Sequence, residues 1–419
     1  MNLLRRNRQF LRLWLGQLVS QVGDKVFLMT LSWWVLVLTS DTTHPRGNPA
    51  MTGYIMAASI LPATLLGPLA GTLVDRFSRR TLMVLADLAR ALLLGTLAYL
   101  AWDPWLSQQT HLLLIFPIAI AVSIFNTLFN PAVQATTGSI VAEADLKQAL
   151  ALQSMARDGS NLLGAVLGGA LVAAVGVTIG FGLNAASYVF SALMVCTMSI
   201  PQQRQQKPMK EMMGEGWNFV RQNPTVRGLI LLFGIGNFFM VPALLLLPTV
   251  ARVILHGTPA TLGAMEAATA IGSISAAVFL MPRLKSAWMP LLLGLFGNAA
   301  AILTLGLVAH FPSVLAAVFG LGLSMALVNI AIQVLLQNII PDELKGRVFA
   351  LVGTLAGATF PVAALLVGVF TTYLTVAHTL VLCGMGSGLC AVGALFIPGL
   401  RPSSKPESAT LDIAASDPA

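Results

Sequence analysis

Long uncharged runs, separated by short polar gaps, tile the chain from about Phe10 to Ile397. A helix needs about 20 mostly apolar residues to cross the hydrocarbon core of a bilayer. Runs that meet this condition fall near 10–38, 52–74, 81–101, 111–131, 154–175 and 179–199. A second set follows near 227–251, 260–281, 287–309, 312–337, 348–372 and 375–397. The stretch 200–226 between the sets is the longest polar segment before the tail. Within it Met212, Met213, Trp217 and Val220 share one face, which predicts a short helix lying at the interface as a tether. The tail from Pro398 is rich in Pro and Ser and is expected to be disordered. The predicted organisation is a first six-helix bundle over 1–199, a linker over 200–226, a second bundle over 227–397 and a tail over 398–419.

The two sets repeat one another. Asn126, Asn130 and Gln134 recur at four-residue steps in the fourth run, and Asn329, Gln333 and Gln337 do so in the tenth, each displaced by 203 positions. Both runs lead into similar loops, S-I-V-A-E-A-D-L-K-Q-A-L from 139 and N-I-I-P-D-E-L-K-G-R-V from 338. Gly23-Asp24 is echoed by Gly236-Asn237. The expected fold is an all-α integral membrane protein with twelve transmembrane helices in two six-helix, pseudo-symmetric halves. A six-plus-six repeat is an architecture of secondary transporters, with the substrate site between the halves.

Charge gives direction to the pattern. Basic residues occupy every second gap: Arg5, Arg6, Arg8 and Arg12; Arg76, Arg79 and Arg80; Lys147; Arg204, Lys207, Lys210, Arg221 and Arg227; Arg283 and Lys285; Lys345 and Arg347; Arg401 and Lys405. The intervening gaps hold Arg46 and Arg252. Basic loops stay in the cytoplasm, so both termini are expected there. Only 10% of the residues are charged and the mean hydropathy is +0.82, too little polarity for a soluble protein of 419 residues. The net charge of +8 is explained by loops facing anionic lipid headgroups, and no nucleic-acid surface is expected. Cys196, Cys383 and Cys390 lie inside apolar runs without metal-like spacing, and no metal site is expected. The first run is too long for a signal peptide and is expected to remain in the membrane.

Residues 71–80, G-T-L-V-D-R-F-S-R-R, resemble the signature between the second and third spans of the major facilitator superfamily. Gly71, Asp75, Arg76, Arg79 and Arg80 match it, with Ser78 in place of the usual Gly. Gly23-Asp24, the D-L-A-R of Asp87 to Arg90, the F-N-P of Phe129 to Pro131 and the P-D-E-L-K-G-R-V from Pro341 resemble its macrolide-efflux and enterobactin-exporter branch. The resemblance implies a monomeric exporter driven by the proton gradient, without a cofactor. Two features depart from the antiporter pattern: span four lacks the Arg many drug–proton antiporters carry, and Ala165 replaces the usual Pro of the span-five signature.

A charge inside the bilayer is costly, about 2.5–3.5 kcal/mol on insertion scales, so each one calls for a reason. Asp24, near the middle of the first span, is the first candidate for proton coupling or for binding a cationic group. Its alternative is a structural partnership with Lys25 or a polar neighbour, although adjacent helical residues point about 100° apart. Glu266 is the second candidate, either exchanging protons with Asp24 or paired with Arg252. Asp87 and Arg90, with Arg157 and Asp158, are expected to form a cross-paired cluster near the cytoplasmic side. Together with Gly71, Asp75, Arg76, Arg79 and Arg80 this cluster would form a gate between the halves. The amide ladders must face protein or water, and Asn126, Asn130, Asn329 and Gln333, with Asn237, are the cavity candidates. The glycines Gly164, Gly168 and Gly169 read as a close-packing surface.

The expected function is secondary active transport, most specifically proton-coupled export of an amphipathic molecule. The substrate would be a drug, a macrolide-like compound or a siderophore, with a lysophospholipid flippase as the alternative. A non-transporting receptor is disfavoured by the gate signature and the acids at depth. An enzyme is disfavoured by the lack of H-E-x-x-H, G-x-S-x-G and P-loop motifs.

Overall fold

The structure, a computed structural model, describes residues 2–42, 44–103, 105–201, 217–284 and 286–398. Much of the expected linker helix and the whole tail from 399 lie outside the described residues, although 217–222 is helical.

After a short helix, Asn2–Arg6, the first half contains α1 (Arg8–Leu38), α2 (Pro49–Arg76), α3 (Arg79–Trp102) and α4 (Gln108–Ile140). The stretch Leu146–Cys196 then forms α5 (146–175) and α6 (177–196), divided at Gly176. There φ is +79° and ψ 177°, a backbone that a residue with a Cβ rarely adopts. The second half contains α7 (Pro224–Leu245), α8 (Pro259–Ser275), α9 (Trp288–Leu307), α10 (Phe311–Ile339), α11 (Asp342–Tyr373) and α12 (Val376–Ala394). Turns of π-helix, Val250–Ile254 and Ala276–Leu280, lie beyond the ends of α7 and α8.

The polar gaps start the helices. Asn7, Ser107, Asn223 and Thr375 each cap the helix that follows, accepting from backbone N–H groups at 3.0–3.2 Å. Eleven helices among the described residues are long and apolar enough to cross a membrane. One of them, Leu167–Cys196, runs across the break at Gly176, and resolving α5 from α6 gives twelve spanning helices. The fifth helix begins at Leu146, eight residues before the expected span, because the loop sequence from 146 continues in helical register.

Packing repeats with the sequence. In the first half α1 packs on the α5–α6 stretch, α3 on that stretch and on α4, and α2 on α4. In the second half α7 packs on α11 and α12, α9 on α12 and α10, and α8 on α10. The most extensive pairings between the halves are α2 with α11 and α5 with α8. Both are glycine contacts: a Cβ on Gly53 would stand 2.5 Å from the Gly368 nitrogen, and one on Gly169 would stand 2.4 Å from the Gly263 Cα. The other α5 glycines accommodate α1, with Gly164 under the Lys25 stem and Gly168 against Met29.

The apolar core shows which side is closed. Away from the termini, Met29, Trp33 and Val172 of the first half share one cluster with Leu247, Leu262, Met265 and Val367 of the second. On the side of the termini the cores are separate. One gathers Leu13, Val74, Met83 and Phe129, the other Val226, Leu336 and Val348. The space between the halves therefore opens on the terminal side.

Candidate functional site

Three helices of the first half, α1, α3 and α6, converge on a buried polar network. It rests on a close approach at Gly23, where a Cβ would stand 2.2 Å from Asn184 Oδ1 and 2.5 Å from Ser187 Oγ. This brings α6 near enough for the Tyr188 hydroxyl to donate to Asp24 Oδ1. Arg90 from α3 lies over two rings, its guanidinium carbon 4.3 Å from the Phe129 centroid and 4.2 Å from that of Tyr188. It donates to Asp87 Oδ1, to Asn126 Oδ1 of α4 and, at 3.3 Å, to the Ala86 carbonyl. Asp87 is 0% and Arg90 2% exposed, whereas Asp24 is half-buried. Asn184 approaches Asp24 and Ser191 approaches Asp87, but the Asn184 amide nitrogen and the Ser191 hydroxyl have no hydrogen-bond partner. With both acids ionised this network carries one net negative charge in a desolvated setting.

Lys25 leaves the network. Its ammonium pairs with Glu266 of α8, joining the two halves. Arg252 pairs with no acid among the described residues: it donates to the Arg46 carbonyl at 2.9 Å and to Ser40 Oγ at 3.3 Å, over the Trp33 ring. The expected alternative of Glu266 with Arg252 is thereby corrected. Nor do Asp24 and Glu266 share a site; each has its own partner.

The amide ladders lie on the terminal side of α4 and α10. Asn130, Gln134, Asn329 and Gln333 are exposed and Asn126 is half-buried. At this depth only water or protein can satisfy an exposed amide, and Asn329 donates to the Met325 carbonyl of its own helix at 2.9 Å. In the second half Asn237 of α7, Asn298 of α9 and Asn329 of α10 surround a cavity of about 20 Å³. This is room for a single small group or water. Asn298 is 4% exposed, and its Oδ1 has no partner.

The structure describes part of the expected gate. Asp87 and Arg90 bond to one another within the network around Asp24, and no bond joins them to Arg157, which is exposed. A one-turn spacing on α3 lets the pair close on itself. Arg79 is buried and donates to the Ala135 carbonyl at 3.0 Å, and exposed Arg80 donates to the Cys196 carbonyl, both within the first half. Arg76 is exposed. Gly71 and the side chains of Asp75 and Asp158 lie outside the described residues.

A family model described as transmembrane secretion effector matches residues 4–415. The chain belongs to that family. Among relatives of this family, the chain is 28% identical over 405 residues to an MFS-type transporter of Bacillus subtilis, covering 91% of each. It is 24% identical over 399 residues to macrolide efflux protein A of Streptococcus pyogenes, covering 90% of this chain and 92% of that one. It is 25% identical over 354 residues to the enterobactin exporter of Citrobacter koseri, covering 83% and 82%. Of solved structures, the nucleoside transporter NupG superposes with a TM-score of 0.70 at 12% identity over 94% of this chain and 100% of that one, a likeness of fold. The chain is thus a multi-pass membrane transporter of the major facilitator type with efflux relatives, and not an enzyme.

Sequence reasoning missed three residues of the polar sites. Tyr188 and Asn184 sit four residues apart on α6, a spacing that marks one face but is unremarkable in an apolar helix. Asn298 is a lone amide in the apolar run of α9, and that isolation was the available signal.

Proposed function

We propose that the protein is a proton-coupled exporter of amphipathic organic molecules, working by alternating access in a bacterial cytoplasmic membrane with both termini inside. The observation that carries this reading is Asp24: a half-buried carboxyl in the middle of α1, held by Tyr188 and facing the electric field of Arg90. A carboxyl so placed can take up and release a proton without being permanently solvated or permanently paired. The space between the halves, lined by Asn126, Asn130, Asn329 and Gln333 among apolar side chains, suits a molecule with polar groups on an apolar body. Export, rather than uptake, is supported by the macrolide and enterobactin efflux relatives. The two six-helix halves would rock about the glycine seams, opening alternately to each side.

The test is reconstitution in liposomes with a trapped pH dye. Gradients of macrolides, dyes, siderophores and lysophospholipids are imposed on wild type and Asp24→Asn. Substrate-dependent proton flux in wild type that disappears in Asp24→Asn is the expected result. Lipid movement without proton flux would replace this reading with that of a lysophospholipid flippase.

A further inference from the structure

We propose that Asp24 exchanges the proton, that Asp87 is a permanent counter-ion, and that Arg90 transmits the protonation of Asp24 to the transport cavity by holding or releasing Asn126. The inference rests on the proton-coupled reading and assigns the residues that perform the coupling.

Charge counting comes first. The charged groups of the network are Asp24 on α1, Asp87 on α3 and Arg90 on α3; Tyr188 contributes a neutral hydroxyl, and α4 contributes the neutral amide of Asn126. Lys25 is adjacent to Asp24 in sequence, but its ammonium is taken by Glu266 across the half-to-half interface. One guanidinium thus faces two carboxylates. With a proton on Asp24 the network is neutral, with Arg90 matched by Asp87. Without it, the network carries one uncompensated negative charge in a site that water barely reaches.

Geometry decides how that imbalance is relieved. The Phe129 and Tyr188 rings both lie against the Arg90 guanidinium, at 4.3 and 4.2 Å from its carbon, and attract the cation, so it can shift between neighbouring partners but does not easily leave the network. The bonds drawn in the structure, to Asp87 and Asn126, are those expected when Arg90 is matched by Asp87 alone. Ionising Asp24 adds a second anion on the Tyr188 side and draws the guanidinium toward it. The bond to Asn126 is the one to give, because the amide is neutral and Asp87 is charged. Asn126 heads the α4 ladder, so its freed Oδ1 becomes an acceptor for a donor group on the transported molecule. Proton and substrate are then alternatives at Arg90, although they never share an atom.

Infrared titration of the purified protein, following the carbonyl stretch of protonated carboxyls, tests this without a transported substrate. Wild type should show one buried carboxyl losing its proton as pH rises, and Asp24→Asn should remove that signal. Asp87→Asn should remove it as well, although Asp24 is intact, because Arg90 is then left to Asp24 alone. Arg90→Gln should keep the proton bound at a pH where wild type has lost it. Asn126→Leu should move the transition about one unit the other way, since no hydrogen bond has to be given up on ionisation. An Asp87→Asn protein that titrates like wild type would overturn the proposal, as would an Asn126→Leu protein with an unmoved midpoint. Loss of substrate-linked flux in liposomes with these titrations intact would instead sink the antiporter reading and leave the proton network standing.

Discussion

The closed side of the transporter depends on two glycine contacts, and filling them should shift the balance between its two openings. A Cβ on Gly169 of α5 would stand 2.4 Å from the Gly263 Cα and 2.7 Å from the Gly263 nitrogen; one on Gly53 of α2 would stand 2.5 Å from the Gly368 nitrogen. Carbon atoms make comfortable contact at about 3.5–4.0 Å, so each alanine requires the helices to part by about 1 Å. The obstructing atoms are backbone and cannot rotate aside. Overpacking of this kind costs about 1–3 kcal/mol. The cost falls only on the arrangement in which α5 meets α8 and α2 meets α11 this closely. A state open on that side escapes it, so the equilibrium should move toward that state by about 5–150-fold. Alanine also favours the helix itself, by up to about 1 kcal/mol over glycine, so Gly169→Ala and Gly53→Ala should remain folded.

Spin labels at Trp105 and His310, in a background without the native cysteines, report on this directly. Both positions lie in exposed loops on the closed side, one in each half. Distance distributions in nanodiscs should gain a longer component in each variant and more of it in the double variant. Distributions matching the unsubstituted protein, with unchanged melting, would refute the claim that these seams set the closed state.

Two further substitutions probe the interface and the second half. Glu266→Gln strands Lys25 at the half-to-half interface; with side chains 27% and 14% exposed, the loss should lie between that of surface and buried pairs, about 1–2 kcal/mol. The same spin labels should show a larger open population, and adding Lys25→Met should restore part of the closed one; no restoration would mean the charge pair is not the tie. Asn298→Leu removes a buried acceptor without a partner, which costs about 1–3 kcal/mol where it stands. Melting in detergent should rise by a few degrees, and a fall would reveal a partner for Asn298 in the small cavity.

The number and length of the spans were legible because a bilayer imposes them. The repeat was legible through Asn126, Asn130 and Gln134 and their counterparts at 329, 333 and 337. Partner choice was not. Sequence proximity suggested a cross-paired cytoplasmic cluster for Asp87 and Arg90, but the Gly23 approach draws α6 inward and places Tyr188 against both Arg90 and Asp24. For Glu266 the sequence suggested Asp24 or Arg252, and the packing of α1 on α5 and of α5 on α8 brings Lys25 to it instead. Such choices turn on ångström-scale approaches between helices far apart in sequence, which hydropathy and charge spacing do not encode.

The two polar sites are related by the repeat that the ladders revealed. Asp24 of α1, Arg90 of α3 and Asn126 of α4 meet in the first half; Asn237 of α7, Asn298 of α9 and Asn329 of α10 surround one cavity in the second. These are corresponding helices, each six places further along the chain. Asn237 follows Gly236 as Asp24 follows Gly23, and Asn329 is displaced from Asn126 by the common 203 positions. The second half thus carries an uncharged version of the same constellation. That difference has an energetic consequence. Gaining or losing a proton on Asp24 changes the net charge of the first half's site, whereas the cavity among Asn237, Asn298 and Asn329 has no ionisable group in its lining. The amide oxygens around that cavity can accept hydrogen bonds at any pH. On the proposed coupling, one duplicated scaffold would carry a charged site in one half and an uncharged one in the other, with Arg90 and Asn298 on equivalent helices.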